Sequence, residues 1–482
     1  MPVSSLHGFI MNFSGAKMTK NNVLSNFFGD KSFYKKVLAI AIPIMIQNGI
    51  TNFVNLLDNI MVGSVGTEQM SAVAIVNKLI FVFNLCLFGG CAGVGIFTAQ
   101  YYGKGDYEGV KKTFRLKLLT NLSILAIALC LFNIFGDNLI RLYLNDAEKG
   151  ANLEQTFSFA KQYIAIIMIG MIPHTFTEAF SSTLRETEHT RLPMIAGACA
   201  VLTNLCLNYV LIFGHFGAPA LGVQGAAIAT VISKFVEVLV ISTVVRIKKN
   251  YAFLKGVFKT LLVPVSFVKQ VLPNSIPILL NDTGWAVGVA ALAYCYSLRG
   301  LTVVAGFNIS STITDIFNVV SLAFGNAIAI MVGNLLGADK MDEAKRTTWR
   351  MLTFSILVCT GLGIVLFLCS SLFPMLYSGT DAAARELASS FLKIYSVYLV
   401  INTITSACYF TLRSGGKTVI TFIFDSIFML CVAFPFTFIL ATFTNLEILP
   451  LYALSLSIDI LKCIIGLTLV KSGKWMQNIV KN

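Results

Sequence analysis

Residues 37–66 read VLAIAIPIMIQNGITNFVNLLDNIMVGSVG. From Val37 to Val62 the run holds one formal charge, Asp58, and exceeds the roughly 20 apolar residues that cross a bilayer. A single segment in lipid satisfies its own backbone as a helix, so the stretch is a membrane span. A carboxylate at that depth costs about 2.5–3.5 kcal/mol, which gives Asp58 a functional reading by default. Pro43 lacks an N–H and breaks the helical ladder, freeing carbonyl oxygens within the same span.

The rest of the chain repeats this chemistry. It is 56% hydrophobic and 12% charged over 482 residues, where a soluble domain carries about 25% charged residues. Apolar stretches fall near 37–62, 72–99, 118–136, 156–182, 192–213, 222–245, 271–297, 303–332, 352–372, 388–411, 418–441 and 450–470. The fold class is therefore all-α integral membrane, with twelve spans. Net charge is +13, and most Lys and Arg lie before Val37 and in 104–117, 185–191, 246–269, 340–350 and 413–417. These connections share one side if both termini are cytoplasmic, so the basic balance reports topology in the plasma (inner) membrane and not nucleic acid. Residues 1–36 read as a cytoplasmic segment. The eleven cysteines sit in apolar spans without CxxC or His/Cys metal spacing, as small buried hydrophobes do. HExxH, GxSxG and Walker A patterns are absent from the four-histidine sequence, which argues against an enzyme and against nucleotide-driven transport.

The two halves correspond. At an offset of 234, Ile42-Pro43-Ile44 falls on Ile276-Pro277-Ile278, Gly66 on Gly300, Phe83-Asn84 on Phe317-Asn318 and Gly103 on Gly337. Leu184-Arg185 falls on Leu412-Arg413 at an offset of 228. Six spans per half bring both halves in from one side, a parallel repeat with a substrate path between lobes. The expected organisation is an N-lobe at 37–245, a linker at 246–270, a C-lobe at 271–470 and a tail at 471–482. The acids do not correspond: Asp58 aligns with Leu292 and Asp282 with Asn48. The lobes are read as having different roles.

Several stretches carry a resemblance: Pro43 to Asp58 with Val62-Gly63-x-x-Gly66, Ala-Gln-Tyr-Tyr-Gly-Lys-Gly-Asp at 99–106, Leu-Asn-Tyr-Val-Leu-Ile-Phe-Gly at 207–214, Gly217 to Gly222, and Gly225-Ala-Ala-Ile-Ala-Thr230. In their order and spacing the chain resembles the multidrug and toxic compound extrusion (MATE) family of cation-coupled exporters. The resemblance implies two six-helix lobes around a central, V-shaped cavity. It also implies a coupling acid at Asp58. Some members carry a second acid at the position of Asn208, and its absence here removes a two-carboxylate relay.

Helix rise, counted from the nearest basic residue, puts Asp58 about 33 Å, Asn208 about 26 Å, Thr230 about 24 Å and Asn204 about 20 Å into the membrane. Asn204 and Asn208 are four apart and share a face. These four are expected to meet as an ion-coupling site for H⁺, or for Na⁺ held by Asp58, Asn204 and Asn208. The alternative for the two amides and the hydroxyl is interhelical bonding worth about 0.6 kcal/mol each. In the C-lobe, Asp282 lies about 20 Å past Lys269, with Trp285 at i+3, an acid and an aromatic suited to an organic cation. Span 388–411 lacks the acid some family members have there, and Asp425 is the substitute, with helix packing as its alternative. Lys234 with Glu237, and Asp459 with Lys462, are expected to neutralise each other at i,i+3.

The sequence is thus read as a secondary active exporter exchanging Na⁺ or H⁺ for amphipathic organic cations, with no cofactor beyond the coupling cation. It contacts membrane lipid and acts as a monomer. The rival readings are a lipid-linked precursor or polysaccharide flippase of the same architecture, and a channel or membrane-embedded enzyme.

Overall fold

A computed structural model describes residues 27–144, 153–377 and 381–481, and among these every regular element is helical. Twelve long helices follow in order: α1 Lys31–Gly63, α2 Thr67–Lys104, α3 Tyr107–Leu144, α4 Leu153–Glu186, α5 Arg191–Phe213 and α6 Val223–Ile247. The second six are α7 Val265–Ser297, α8 Leu301–Gly337, α9 Met341–Cys369, α10 Ala382–Ser414, α11 Thr418–Phe443 and α12 Ile448–Lys471.

Most of the helices outrun the apolar stretches because charged turns continue them until a specific stop. The basic stretch 104–117, expected as a loop, is mostly the start of α3. Gly105, at φ 79°, ends α2 by giving its N–H to the Tyr101 and Tyr102 carbonyls. Asp106 then accepts the Gly109 N–H at 2.8 Å, capping α3. Likewise α1 begins at Lys31, six residues before the expected span; residues 1–26 of the expected cytoplasmic segment lie outside the described residues.

The chain divides into two compact units, Ile42–Leu279 and Leu280–Asn482 joined by residues up to Ala41. Both cuts fall beside the prolines of α1 and α7. In the first unit α2 packs on α3 and α4, and α4 on α6; in the second α8 packs on α9 and α10, and α10 on α12. The neighbour pattern therefore repeats, and so do backbone details. Gly105 (φ 79°) and Asp339 (φ 61°) are both left-handed at an offset of 234, and Glu188 (φ 64°) and Gly416 (φ 78°) at 228.

The leading part of α1 packs within the second unit, with Tyr34 and Phe354 ring centroids 4.9 Å apart. The leading part of α7 packs within the first, where a Cβ on Gly93 would lie 2.4 Å from the Ser275 Cα. The expected linker 246–270 is also part of the first unit. Its short helical turns bury Phe253, Leu254 and Val257, and Arg115 Nε donates to the Val257 carbonyl at 2.9 Å.

An apolar cluster that includes Val62, Val76, Ile140, Tyr163, Ile212 and Ala226 joins α1 through α6. Val62 is one turn from Asp58 and Ala226 one turn from Thr230, so packing fixes the polar residues between them. Two helices of the second unit are irregular. Segments Ile423–Ile427 and Met429–Ala433 of α11 have π-helical hydrogen bonding, and α12 is interrupted at Ile458, with Asp459 opening its second segment.

Candidate functional site

The structure brings Asp58, Asn208, Asn204 and Thr230 into one hydrogen-bonded chain. Asn208 Nδ2 donates to Asp58 Oδ1 at 2.6 Å and to Asn204 Oδ1 at 3.1 Å. Asn204 Nδ2 donates to Thr230 Oγ1 at 3.2 Å, and the Thr230 hydroxyl donates to the Ala226 carbonyl at 3.0 Å. Each step follows from local structure. The i,i+4 spacing stacks the two amides on α5, and the threonine bonds back one turn on α6. Close approach of these helices needs Gly225, where a Cβ would lie 2.5 Å from the Leu211 carbonyl oxygen.

The chain's direction has a chemical consequence. Both Asn208 N–H groups and the Thr230 hydroxyl are committed as donors, while Asn208 Oδ1 is buried with no partner among the described residues. Asn204 and Asn208 are buried, and Asp58 is half-buried. The result is a carboxylate beside an unsatisfied amide oxygen, an arrangement deficient in positive charge. Oxygen donors of this type suit a hard monovalent cation or a proton on the carboxylate. The described residues contain no group of three or more His, Cys, Asp or Glu suited to a metal, so any ion here relies on amide and hydroxyl oxygens.

Tyr163 joins this site without having been expected. Its buried phenol on α4 lies within electrostatic reach of Asp58. Tyr163 precedes Arg185 by 22 residues, as Asp58 follows Lys36 by 22, a matched depth of about 33 Å that was its signal in the sequence.

In the second unit the candidate residues belong to a denser network. Asn281, also unexpected, is its hub: Nδ2 donates to Tyr409 Oη and to Asp425 Oδ2, both at 3.1 Å. Ser426 Oγ meets Asn281 Oδ1 at 2.9 Å and its backbone oxygen at 2.6 Å. Glycines make the α7–α11 contact close, since a Cβ on Gly284 would sit 2.9 Å from Ser426 Cβ and one on Gly288 2.3 Å from Met429 Cγ. Asp282 Oδ2 is buried without a hydrogen-bond partner among the described residues, with Arg413 and Asp425 as charged neighbours. Trp285 is 45% exposed.

One expectation is enlarged here. Lys462 was expected to neutralise Asp459, and the two charges do act on each other, but the ammonium bonds Asp425 on α11 at 2.5 Å, and Asp459 also accepts the Tyr398 hydroxyl at 2.5 Å. Helical spacing identified a sterically available partner, while packing of α12 on its neighbours supplied another. Asp425 is consequently an ion-paired acid. The Lys234–Glu237 pair does form, at 3.2 Å. Near the loop ends of the first unit, Arg185 pairs with Glu178 at 2.7 Å, and Lys117, fully buried, pairs with Glu186.

The family model for MatE matches residues 43–210 and 283–439, one segment in each half of the chain. The chain belongs to the MatE family. It is similar to the probable multidrug resistance protein NorM of Thermotoga maritima, 25% identical over 453 residues that cover 92% of this chain and 94% of that protein. A probable NorM of Bacillus cereus is 26% identical over 422 residues, covering 85% and 89%. Among solved structures, a mutant of the Vibrio cholerae MATE transporter VcmN shares the fold with a TM-score of 0.83 at 17% identity, covering 95% of this chain and 99% of that one. An outward-facing multidrug resistance MATE family transporter gives 0.78 at 20% identity, covering 95% and 100%. This MatE chain is a multi-pass membrane protein with two six-helix halves.

Proposed function

We propose that this MatE protein is a multidrug efflux transporter that exchanges Na⁺ or H⁺ for amphipathic organic cations across the plasma (inner) membrane, with both termini in the cytoplasm. The observation that carries the reading is the Asp58–Asn208–Asn204–Thr230 chain with its unsatisfied Asn208 oxygen. The NorM relatives, named as probable multidrug resistance proteins, support the drug-efflux part of the reading.

The cation is substrate here. Asp58 supplies the charge, and Asn208 and Asn204 supply neutral oxygens and hold the carboxylate in place. Tyr163 on α4 adds a buried phenol within electrostatic reach of Asp58. Binding lowers the cost of a carboxylate held away from water, so occupied and empty sites favour different packing of the first unit. That differential is what couples the ion gradient to drug movement. Asp282, with an unsatisfied oxygen, provides attraction for an organic cation, and exposed Trp285 one turn away provides a ring face.

Dye efflux from cells expressing the protein, with separate Na⁺ and pH jumps, tests this reading. Efflux that accelerates with an inward jump of either ion supports it. Dye movement indifferent to both contradicts it, and translocation of a lipid-linked sugar in place of dye favours the flippase.

A further inference from the structure

Lys462 is a buried cation in the middle of α12, and the proposed transport cycle has so far given it no role. Its ammonium bonds Asp425 Oδ1 at 2.5 Å and lies 5.4 Å from the Phe424 ring centroid. Close packing holds it there. A Cβ on Gly466, one turn further along α12, would lie 2.9 Å from Cys408 Cβ and 3.0 Å from Phe424 Cζ, so α10 and α11 both press on this stretch.

A second carboxylate stands within the reach of the same side chain. Asp459 precedes Lys462 by three residues, the spacing at which helical side chains meet. It already accepts the Tyr398 hydroxyl, which leaves lone pairs for an ammonium. Both acids sit on irregular backbone, Asp425 within a π segment and Asp459 at the opening of the second segment of α12. Such irregularities recur where helices serve a site. Lys462 therefore has two acids within reach of one position on α12.

We propose that Lys462 is a tethered competitor for organic cations: it holds Asp425 until an incoming organic cation displaces it, and it then seats on Asp459. This rests on the reading of the Asn281–Asp282–Asp425 network as the place where organic cations bind. An ammonium displaced into a dry interior without a partner is prohibitively unfavourable, so displacement requires the second seat. A neutral compound gains nothing by displacing Lys462. The device therefore selects amphipathic monovalent cations, whose apolar bodies add contacts that a lysine headgroup lacks.

Equilibrium binding of ethidium, a permanent cation, and Nile red, a neutral dye, to the purified full-length protein in nanodiscs tests this. Lys462→Met removes the competitor and is expected to tighten ethidium about tenfold. Asp459→Asn removes the second seat while keeping the observed Lys462–Asp425 pair, and is expected to weaken ethidium about tenfold. In the Lys462→Met background, Asp459→Asn is expected to have no effect, because nothing remains to be reseated. Nile red affinity stays constant throughout.

Wild-type ethidium affinity in Asp459→Asn would overturn the proposal even if Lys462→Met did not fold. Equal losses of both dyes would overturn it as well, by showing a structural role. A wild-type protein that binds Nile red and no ethidium fails at the earlier step, the reading of this network as an organic-cation site.

Discussion

Asp58 sets the balance at the scale of single residues. Its insertion penalty of about 2.5–3.5 kcal/mol is comparable to the roughly 1.5–3 kcal/mol of a hydrogen bond to a charged group. The Asn208 amide thus brings the carboxylate near break-even, where a proton or cation decides its state. Asp58→Asn keeps the shape and removes the charge, so ion-driven efflux is expected to vanish while membrane insertion, followed by fluorescence of a fused reporter, is unchanged. Asn208→Ala removes both the bond and the orphaned oxygen. The half-saturating cation concentration in efflux assays is expected to rise about ten- to a hundredfold.

Much of this site could be read before the structure. Depth counting and the four-residue spacing of two asparagines were enough to expect Asp58, Asn204, Asn208 and Thr230 to meet, and hydrogen bonds join them. Tyr163 and Asn281 were not read because a tyrosine or an asparagine in a span has many uses, and its partners come from other helices. Lys462 was assigned to Asp459 alone for the same reason: it also bonds Asp425 on another helix. Spacing along a helix reports what a side chain can reach, and packing between helices decides what it does reach.

At the scale of elements, apolar runs located the twelve long helices among the described residues, while the ends, short turns and irregularities needed more. Charged turns at 107–117 are helical because Asp106 caps them and Lys117 finds Glu186. The π segments of α11 left no trace in the hydropathy of the run, since a shifted hydrogen-bond register arises from contacts with neighbours. The α7–α11 contact offers a direct probe. Gly284→Val would drive a side chain into Ser426 and disturb the Asn281 hub, an overpacking cost of about 1–3 kcal/mol. Thermal unfolding in detergent should show a lower midpoint than wild type, and an unchanged midpoint would argue that the two helices pack more loosely.

The connection between α4 and α5 is expected to respond to pH. His189 is packed against Tyr102, Tyr251 and Phe253 rings, and its ring Nδ1 lies 2.6 Å from the Thr187 carbonyl. Burial holds its pKa below the ordinary value, outweighing the Thr187 bond and Glu188. The opened connection then binds more protons than the packed one as pH falls below about 6.5. Packing is complete above that value and weakens below it. Hydrogen exchange across 187–190 and 249–254 is expected to quicken between pH 7.5 and 5.5, after correction for intrinsic rates. His189→Phe should flatten that dependence, and an equal response in the variant would assign the effect elsewhere.

For the molecule as a whole, the repeat was legible as glycines and prolines at constant offset, and the paired left-handed residues show that it extends to the backbone. The assignment of the leading parts of α1 and α7 to opposite units was not legible. Hydropathy treats each helix as one object, whereas packing divides it near its proline. Orientation can be tested with an impermeant thiol reagent on intact cells, after replacing the exposed Cys130, Cys206 and Cys431 with serine. Asn138→Cys should label and Lys474→Cys should not; the reverse pattern would invert the proposed topology.

The coupling itself is tested most directly in proteoliposomes holding purified protein and a cationic dye, with a Na⁺ or H⁺ gradient imposed as the sole driving force. Wild-type protein is expected to move dye against its concentration gradient while the ion gradient lasts and to stop when an ionophore collapses it, and Asp58→Asn is expected to move none. Uphill dye movement by Asp58→Asn at the wild-type rate, or wild-type movement that persists after the gradient collapses, would contradict a coupling role for the Asp58 chain.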